Sequence, residues 1–265
     1  MIEYNVSDVE DGMILVTGCN SLIGRTLVAK LVEGGQQVKV IDMWKDPKLP
    51  ESAIFYQSNL LDIDSIEEAM DDVDTVFHLM DVEDASYYGR RFMKKVNITG
   101  TENLLKVAAE KNINHFIFLS TAKVYGNPEI MPIKEDDPLK PNTAYGKDKV
   151  KAEKLCLKYY EEGLPVTIVR PTIITGPGVD DAMILIILYM ALAMEESNRL
   201  YIAGDGNSRY QLVHPDDVVS ALIAIKNNSI TKGKIYNIGS DNVPTQLEQV
   251  VKVKELAQLD CQIKH

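Results

Sequence analysis

Two residues four positions apart, Tyr145 and Lys149, could perform acid–base chemistry from one face of a predicted helix. Side chains at positions i and i+4 of an α-helix are neighbours, so the phenol and the ammonium group are expected to meet. A phenol has a pKa of about 10, too high for a base near neutral pH, but a nearby cation favours the phenolate. The pair therefore predicts a group that takes a proton from a substrate hydroxyl and returns it.

A glycine-containing turn follows the first predicted strand, Met13 to Thr17, and precedes the predicted helix Leu22 to Glu33. Glycines at such a turn let backbone N–H groups and the positive end of the helix approach a pyrophosphate. Ser21 stands where the usual pattern has its middle glycine. The turn predicts a dinucleotide site whose candidate residues are Gly18, Asn20, Ser21, Leu22, Ile23 and Gly24.

A carboxylate ends the next predicted strand, Gln37 to Ile41. Asp42 lies eighteen residues after Gly24, close to the spacing of about 20 at which an acidic residue binds the ribose hydroxyls of a dinucleotide. The same carboxylate would repel a 2′-phosphate, so the sequence favours NAD over NADP as the cofactor. The alternative is an exposed cap at the strand end.

Apolar runs of strand length alternate with helix-length amphipathic stretches through the first two thirds of the chain. This alternation is typical of βαβ units and predicts an α/β fold, a doubly wound parallel sheet of the Rossmann type with a small C-terminal substrate-binding region. Further predicted strands are Ala53 to Tyr56, Thr75 to Leu79, His115 to Leu119 and Val166 to Val169, and further predicted helices are Ile63 to Met70, Asn97 to Lys111 and Ala144 to Glu162.

Three regions are expected along the chain: an N-terminal extension over residues 1–12, a dinucleotide-binding core over 13–171 and a mainly substrate-binding region over 172–265. Part of the third region could return to the core. The apolar segment Met183 to Met194 is shorter than the roughly 20 residues that a membrane span needs. We interpret it as a buried helix, with a subunit interface and an apolar substrate wall as alternatives.

The 265-residue chain has a formal net charge of −11 and 45% hydrophobic residues. This acidic balance argues against nucleic acid as a partner, because nucleic-acid binding requires a basic surface. The polar segment Met1 to Gly12 has no apolar run, so we expect no secretory signal, no membrane partner and a cytoplasmic location. The spacing of the three cysteines and four histidines predicts neither disulfides nor a metal site.

Five motifs in order along the chain resemble one family. They are the glycine turn, Phe77-His-Leu79, Ser120-Thr-Ala-Lys-Val-Tyr-Gly126, Tyr145-Gly-Lys-Asp-Lys149 and Arg170-Pro171. Together they resemble the extended short-chain dehydrogenase/reductase family, in its NAD-dependent nucleotide-sugar epimerase/dehydratase branch. The resemblance covers the chain from Met13 to about Gly239.

The resemblance implies roles for individual residues. Tyr145 would exchange a proton with the substrate oxygen while hydride moves between carbon and nicotinamide, and Lys149 would also hold the ribose. Thr121 would bond the reacting oxygen, with the neighbouring Ser120 as an alternative. Arg209 would bind a substrate diphosphate, unless it is a solvated loop residue. The remaining cofactor-site candidates are Asn59, which could instead form a turn, with Leu60, His78 and Leu79. We expect His78 to be packed and hydrogen-bonded rather than an acid or a ligand.

Two departures from the family pattern bear on the reaction. The dehydratases carry an Asp-Glu pair after the strand's Ser/Thr, whereas this chain has Ala122-Lys123, which disfavours dehydration. Many nucleotide-sugar enzymes have an asparagine three residues after the strand's arginine, whereas Ile173 follows Arg170 at that spacing. The second departure argues against a nucleotide-sugar substrate and favours the dehydrogenases and reductases of the same superfamily.

Epimerisation of a nucleotide sugar through a keto intermediate is the first functional prediction. An NAD(P)-dependent dehydrogenase or reductase of a small alcohol or carbonyl compound is the second, and a non-catalytic dinucleotide sensor is the third. The resemblance also implies a homodimer formed by the helices Ile98 to Lys111 and Ala144 to Glu162. Asn97 is expected to cap the first of these helices at its N-terminus.

Overall fold

The computed structural model of the chain describes residues 12–128, 131–177, 199–202, 204–256, 258 and 260–264. The chain divides into two compact units. One consists of Met1–Pro171 with Asp216–Ile238, and the other of Thr172–Pro215 with Gly239–His265. The apolar segment Met183 to Met194 lies outside the described residues.

A seven-stranded sheet forms the first unit, and each neighbouring pair of its strands is parallel. The strands are β1 (Met13–Thr17), β2 (Val38–Asp42), β3 (Ile54–Gln57), β4 (Val73–His78), β5 (His115–Leu119), β6 (Val166–Pro171) and β10 (Ile235–Ile238). From edge to edge the order is β10-β6-β5-β4-β1-β2-β3. This order confirms the predicted doubly wound sheet, because it reverses direction between β1 and β4.

The central strands are apolar along most of their length because helices cover parallel sheets on both faces. Ile14, Leu15 and Val16 of β1 have no exposed surface, and every residue of β2 is buried. The helices of this unit are α1 (Leu22–Glu33), α2 (Ile63–Ala69), α3 (Ala85–Lys94), α4 (Thr101–Glu110), α5 (Ala144–Glu161) and α6 (Pro215–Lys226).

The predicted start of one helix at Asn97 is wrong. A π-helical turn, Lys95–Gly100, continues α3 into α4, so Asn97 lies inside a longer helical stretch and not at its end. The N-terminal cap is Asp84, whose carboxylate accepts a hydrogen bond from the backbone N–H of Ser86 at 2.8 Å. Asn97 is buried, and its amide group both accepts from the backbone N–H of Val82 and donates to the carbonyl of Val82.

The second unit contains two small parallel pairings. Strand β7 (Ile173–Ile174) pairs with β9 (Leu212–Val213), and β8 (Arg199–Tyr201) pairs with β11 (Gln262–Lys264). Helix α7 (Gln246–Leu256) contributes Val250 to a small apolar cluster with Ile202 and Cys261.

Within the described parts of the chain, no helix is long and apolar enough to cross a membrane. The same residues include no group of three His, Cys, Asp or Glu side chains placed to hold a metal ion.

Candidate functional site

The turn between β1 and α1 requires glycine at two positions. Gly18 has a φ of 78°, and a Cβ atom there would lie 2.6 Å from the backbone nitrogen of Met80. A Cβ atom on Gly24 would lie 2.1 Å from the carbonyl oxygen of Gly18. Between them Ser21 caps α1, because its hydroxyl accepts from the backbone N–H of Gly24 at 3.0 Å and donates to the carbonyl of Gly18 at 2.9 Å. The serine thus closes the turn in place of a third glycine.

A cavity of about 480 Å³ opens beside this turn. Its wall includes Gly18, Asn20 and Ser21 from the turn and Asp42 from the end of β2. Leu22 and buried Ile23 form the first turn of α1, where the positive end of a helix favours a phosphate group. The glycine turn and the strand-end carboxylate offer the backbone donors and the acceptor by which this fold binds a dinucleotide.

The Asp42 carboxylate is held by two backbone groups. It accepts hydrogen bonds from the N–H of Asn20 at 2.8 Å and of Met43 at 2.7 Å. Burial raises the pKa of Asp42 above its ordinary value, and these two hydrogen bonds oppose that rise. Asp42 is therefore fixed in direction at the cavity wall, as a ribose-binding acceptor must be.

Replacing Asp42 with serine is expected to weaken NAD binding by about 10- to 100-fold, since a hydrogen bond to a charged group contributes about 1.5–3 kcal/mol. NADP binding should be unchanged or stronger, because the repulsion of the 2′-phosphate is removed. Calorimetric titration with both dinucleotides measures the two affinities. Asp64→Ser, in the exposed first turn of α2, is the matched control. An unchanged NAD-to-NADP ratio in Asp42→Ser would contradict the assignment.

Helix α5 carries the predicted acid–base pair. It begins after Thr143, whose hydroxyl accepts from the backbone N–H of Gly146 at 3.0 Å. Lys149 is 2% exposed, and its ammonium group donates to the carbonyl of Leu119 at 2.7 Å. The Lys149 Nζ atom lies 5.6 Å from the centre of the Tyr145 ring, so the two side chains share one face of the helix.

A third side chain, Asp81, joins this pair. The Tyr145 hydroxyl donates to Asp81 Oδ2 at 2.6 Å, and the Lys149 ammonium lies 2.7 Å from the same oxygen. Burial and the Asp81 carboxylate raise the pKa of Tyr145 well above its ordinary value. The sequence predicts that nearby cations favour the phenolate of Tyr145, whereas in this structure the Asp81 carboxylate offsets the charge of Lys149 and shifts the pKa of Tyr145 upward.

Ser120 and Thr121 follow β5, and their hydroxyl groups form hydrogen bonds with different parts of the structure. The Ser120 hydroxyl donates to Glu153 Oε1 at 2.5 Å, inside a buried network in which Arg170 binds both oxygens of Glu153. The Thr121 hydroxyl accepts from the backbone N–H of Lys123 at 3.2 Å. Thr121 thus caps a short 3-10 helix, Ala122–Val124, while Ser120 serves a structural network.

The remaining predicted cofactor residues lie near the carboxyl ends of the strands. His78 is buried between the hydroxyls of Thr17 and Thr101, each 2.8 Å from a ring nitrogen, and burial lowers its pKa to about 3. The imidazole is therefore neutral and packed. Leu79 lines the cavity, and its N–H donates to the carbonyl of Thr17 at 3.1 Å.

Asn59 and Leu60 form a turn after β3. The side-chain oxygen of Asn59 accepts from the N–H of Leu61 at 3.0 Å, and Leu60 has a φ of 64° with no exposed surface. The side-chain oxygen of Asn59 therefore stabilises the turn. Neither residue is part of the wall of the 480 Å³ cavity.

Arg209 lies in the second unit. It is exposed, and its guanidinium donates to the carbonyl of Val243 at 2.6 Å. It lines a cavity of about 780 Å³ within that unit, together with Gln249 and Lys252. The same wall carries two carboxylates, Asp241 and Glu248, so its two cations are matched and the predicted diphosphate role of Arg209 stays a prediction.

Sequence reasoning missed Asp81 and Glu153. Asp81 belongs to an acid-rich run, Asp81 to Asp84, which begins three residues after the last residue of β4. Side chains at that position lie at the carboxyl edge of the sheet, where ligands of this fold bind, and this is the signal that could have found Asp81. Glu153 follows Lys149 by four residues and so continues the same face of α5.

Comparisons with known proteins agree with this geometry. A family model described as the NAD dependent epimerase/dehydratase family matches residues 14–239. The UDP-N-acetyl-alpha-D-glucosaminuronate decarboxylase of Bacillus cytotoxicus is 31% identical over 95% of this chain and 82% of that protein. The chain spans 62% of the length of several other curated relatives that it matches.

Two solved structures are similar in fold and sequence. The UDP-glucose 4-epimerase of Thermotoga maritima, solved with UDP-glucose, is 28% identical with a TM-score of 0.80, over 95% of this chain and 85% of that one. MoeE5, solved in complex with UDP-glucose and NAD, is 26% identical with a TM-score of 0.79, over 95% of this chain and 84% of that one.

Proposed function

Because the chain belongs to the NAD dependent epimerase/dehydratase family, we propose that it inverts one carbon centre of a UDP-linked sugar through a keto intermediate, with NAD as cofactor. One observation carries the proposal. Tyr145 and Lys149 both contact Asp81, and Asp81 lines the same cavity as Gly18 and Asp42. The acid–base pair and the predicted dinucleotide site are thus adjacent.

The residues around the cavity fit NAD. The two glycines leave room for a pyrophosphate at the start of α1, and Asp42 offers an acceptor to the ribose hydroxyls. Lys149 offers a donor to the second ribose. When bound, NAD accepts a hydride from the substrate carbon and later gives it back.

Tyr145 would move the proton in both halves of the reaction. It takes the proton of the sugar hydroxyl while the carbon loses its hydrogen with the bonding electrons, which leaves a carbonyl group. It returns the proton to the same oxygen when hydrogen comes back to the opposite face of the carbon. Atoms and electrons therefore balance over the cycle. Thr121, at the end of β5, would hold the reacting oxygen.

A UDP-linked sugar is the substrate class that the relatives favour. Both the decarboxylase of Bacillus cytotoxicus and the 4-epimerase of Thermotoga maritima are named for such compounds. Dehydration is disfavoured because Lys123 stands where dehydratases carry an acid, and here it forms an ion pair with Glu83.

A dehydrogenase or reductase of a small alcohol or carbonyl compound is the second candidate. Ile173 favours it, because nucleotide-sugar enzymes of this family often carry an asparagine at that position. The homodimer and the cytoplasmic location stay predictions.

The test is calorimetric titration with NAD and NADP, followed by UDP-linked sugars added to the NAD-loaded protein. We expect NAD binding, then binding of one UDP-sugar, and formation of its epimer when the mixture is followed by NMR. If NAD binds but no nucleotide sugar does, the second candidate replaces the first. If neither dinucleotide binds, both enzymatic proposals are wrong and the sensor alternative goes with them.

A further inference from the structure

Asp81 occupies an unusual place between the cavity and the acid–base pair. Its side chain is 25% exposed and lines the cavity, while one of its oxygens contacts both the Tyr145 hydroxyl and the Lys149 ammonium. Tyr145 and Lys149 are themselves 9% and 2% exposed. A single carboxylate therefore forms the solvent-side contact of both groups.

The backbone on each side of Asp81 is held firmly. The N–H of Met80 donates to the Thr17 hydroxyl at 3.2 Å. On the other side, the buried Asn97 amide binds both the N–H and the carbonyl of Val82, at 2.8 and 2.9 Å. Hydrogen bonds thus hold the backbone on both sides of Asp81, and this fixes the position of its side chain beside Tyr145.

Among the residues that the structure describes, four charged groups face Tyr145, and they form two pairs. Lys149 pairs with Asp81, and Lys123, whose Nζ atom lies 5.6 Å from the Tyr145 ring centre, pairs with Glu83. The two positive charges are each matched by a carboxylate, so the surroundings of Tyr145 carry no net positive charge. The hydroxyl itself donates to a carboxylate, which is a bond that only the protonated phenol can make.

We propose that Asp81 is a positioning residue that holds Tyr145 as a proton donor and so sets the pH range in which the site can accept a proton. The inference rests on the proposed function and deepens it. In the oxidative half of the reaction Tyr145 must accept a proton, so the site works there only from the phenolate. In the reductive half Tyr145 must donate one, and the hydrogen bond to Asp81 keeps it ready.

The direction of the electrostatic effect supports this role. The Asp81 charge and its hydrogen bond both raise the pKa of Tyr145, in the same direction as burial. Removing the carboxylate while Lys149 stays in place should therefore favour the phenolate. Asp81→Asn is the informative variant, because it keeps the shape of the side chain and removes only the charge.

The first experiment measures Tyr145 without any cofactor. The protein is labelled with isotope-enriched tyrosine, the tyrosine signals are titrated with alkali by NMR, and Tyr145→Phe identifies the signal of Tyr145. In Asp81→Asn the titration midpoint should fall by about 1–3 pH units. Asp84→Asn is the matched control, since Asp84 lines the same cavity but bonds to Ser86, and it should leave the midpoint unchanged. An unchanged or higher midpoint in folded Asp81→Asn overturns the proposal.

The second experiment follows turnover against pH at saturating NAD and substrate. We expect wild-type kcat to rise with pH, and Asp81→Asn to reach the same rate at lower pH, with about 10-fold or more faster turnover near neutrality. Slower neutral turnover in a folded Asp81→Asn protein overturns the proposal, because it would make Asp81 itself the proton acceptor. If no substrate is turned over at any pH, the proposed function fails, while the tyrosine titration still decides the role of Asp81.

Discussion

Replacing Tyr145 with phenylalanine is expected to reduce turnover by about 100- to 10,000-fold, the usual contribution of a positioned acid–base group. The variant loses the hydroxyl that bonds to Asp81 and retains the ring that packs beside Lys149 and Lys123. The fold and the cavity wall should survive, because Tyr145 is not part of that wall and its ring stays in place. The measurement is kcat, with NAD affinity determined by calorimetry on the same sample.

Tyr159→Phe is the control for this variant. Tyr159 lies on the same helix, packed against the core, and its hydroxyl carries no proposed role. It should keep wild-type turnover. Retention of full activity by a folded, NAD-binding Tyr145→Phe protein would show that another group moves the proton, and the assignment of the catalytic site would be wrong.

The fold was predictable because strand and helix patterns in this chain are local and strong. The predicted strands Met13 to Thr17 and His115 to Leu119 and the predicted helix Leu22 to Glu33 have the observed bounds. Buried parallel strands read as unbroken apolar runs, and each is followed by an amphipathic stretch. The sheet order confirms the α/β class, and the comparisons confirm the family resemblance, the enzyme assignment and NAD as the cofactor.

Helix α3 escaped prediction for a physical reason. Gly89, with a φ of 76°, interrupts the helical backbone of this ten-residue segment. A glycine inside a short segment argues against a helix there, so the sequence analysis did not predict one. The return of the chain to the sheet as β10 was left open in the sequence prediction, because the pairing of β10 with β6 joins residues far apart in sequence, Ile235 with Ile168.

The candidate site was predictable where a motif fixes the geometry and unpredictable where tertiary contacts do. Tyr145 and Lys149 meet because helical spacing brings them together. Asp81 reaches them from the end of another strand, 64 residues earlier than Tyr145, and no local pattern records that contact. The pKa of Tyr145 depends on this distant carboxylate, whereas the sequence prediction took only nearby cations into account.

Glu153→Gln is expected to lower the free energy of unfolding by about 3–5 kcal/mol, the cost of breaking a buried ion pair by removing one partner. Glu153 and Arg170 are 1% and 2% exposed, and the guanidinium binds the carboxylate at 2.7 and 3.0 Å. The glutamine would leave the guanidinium charge buried without a counter-charge, since its other partners, the Tyr125 hydroxyl and the Glu135 carbonyl, are neutral. Denaturant unfolding measures the difference.

The matched control is Glu162→Gln. Glu162 also pairs with a cation, Lys158, but both side chains are more than half exposed, so the change should cost about 0.3–0.5 kcal/mol. A double variant, Glu153→Leu with Arg170→Met, separates charge from packing, because an apolar pair of similar size often replaces a buried ion pair at little cost. If the double variant is as unstable as Glu153→Gln, the unpaired charge is not the cause. If the double variant is more stable than Glu153→Gln, the main role of Glu153 is to neutralise the buried charge of Arg170. Lys149, one turn earlier on α5, should then keep its hydrogen bond to the Leu119 carbonyl in the double variant.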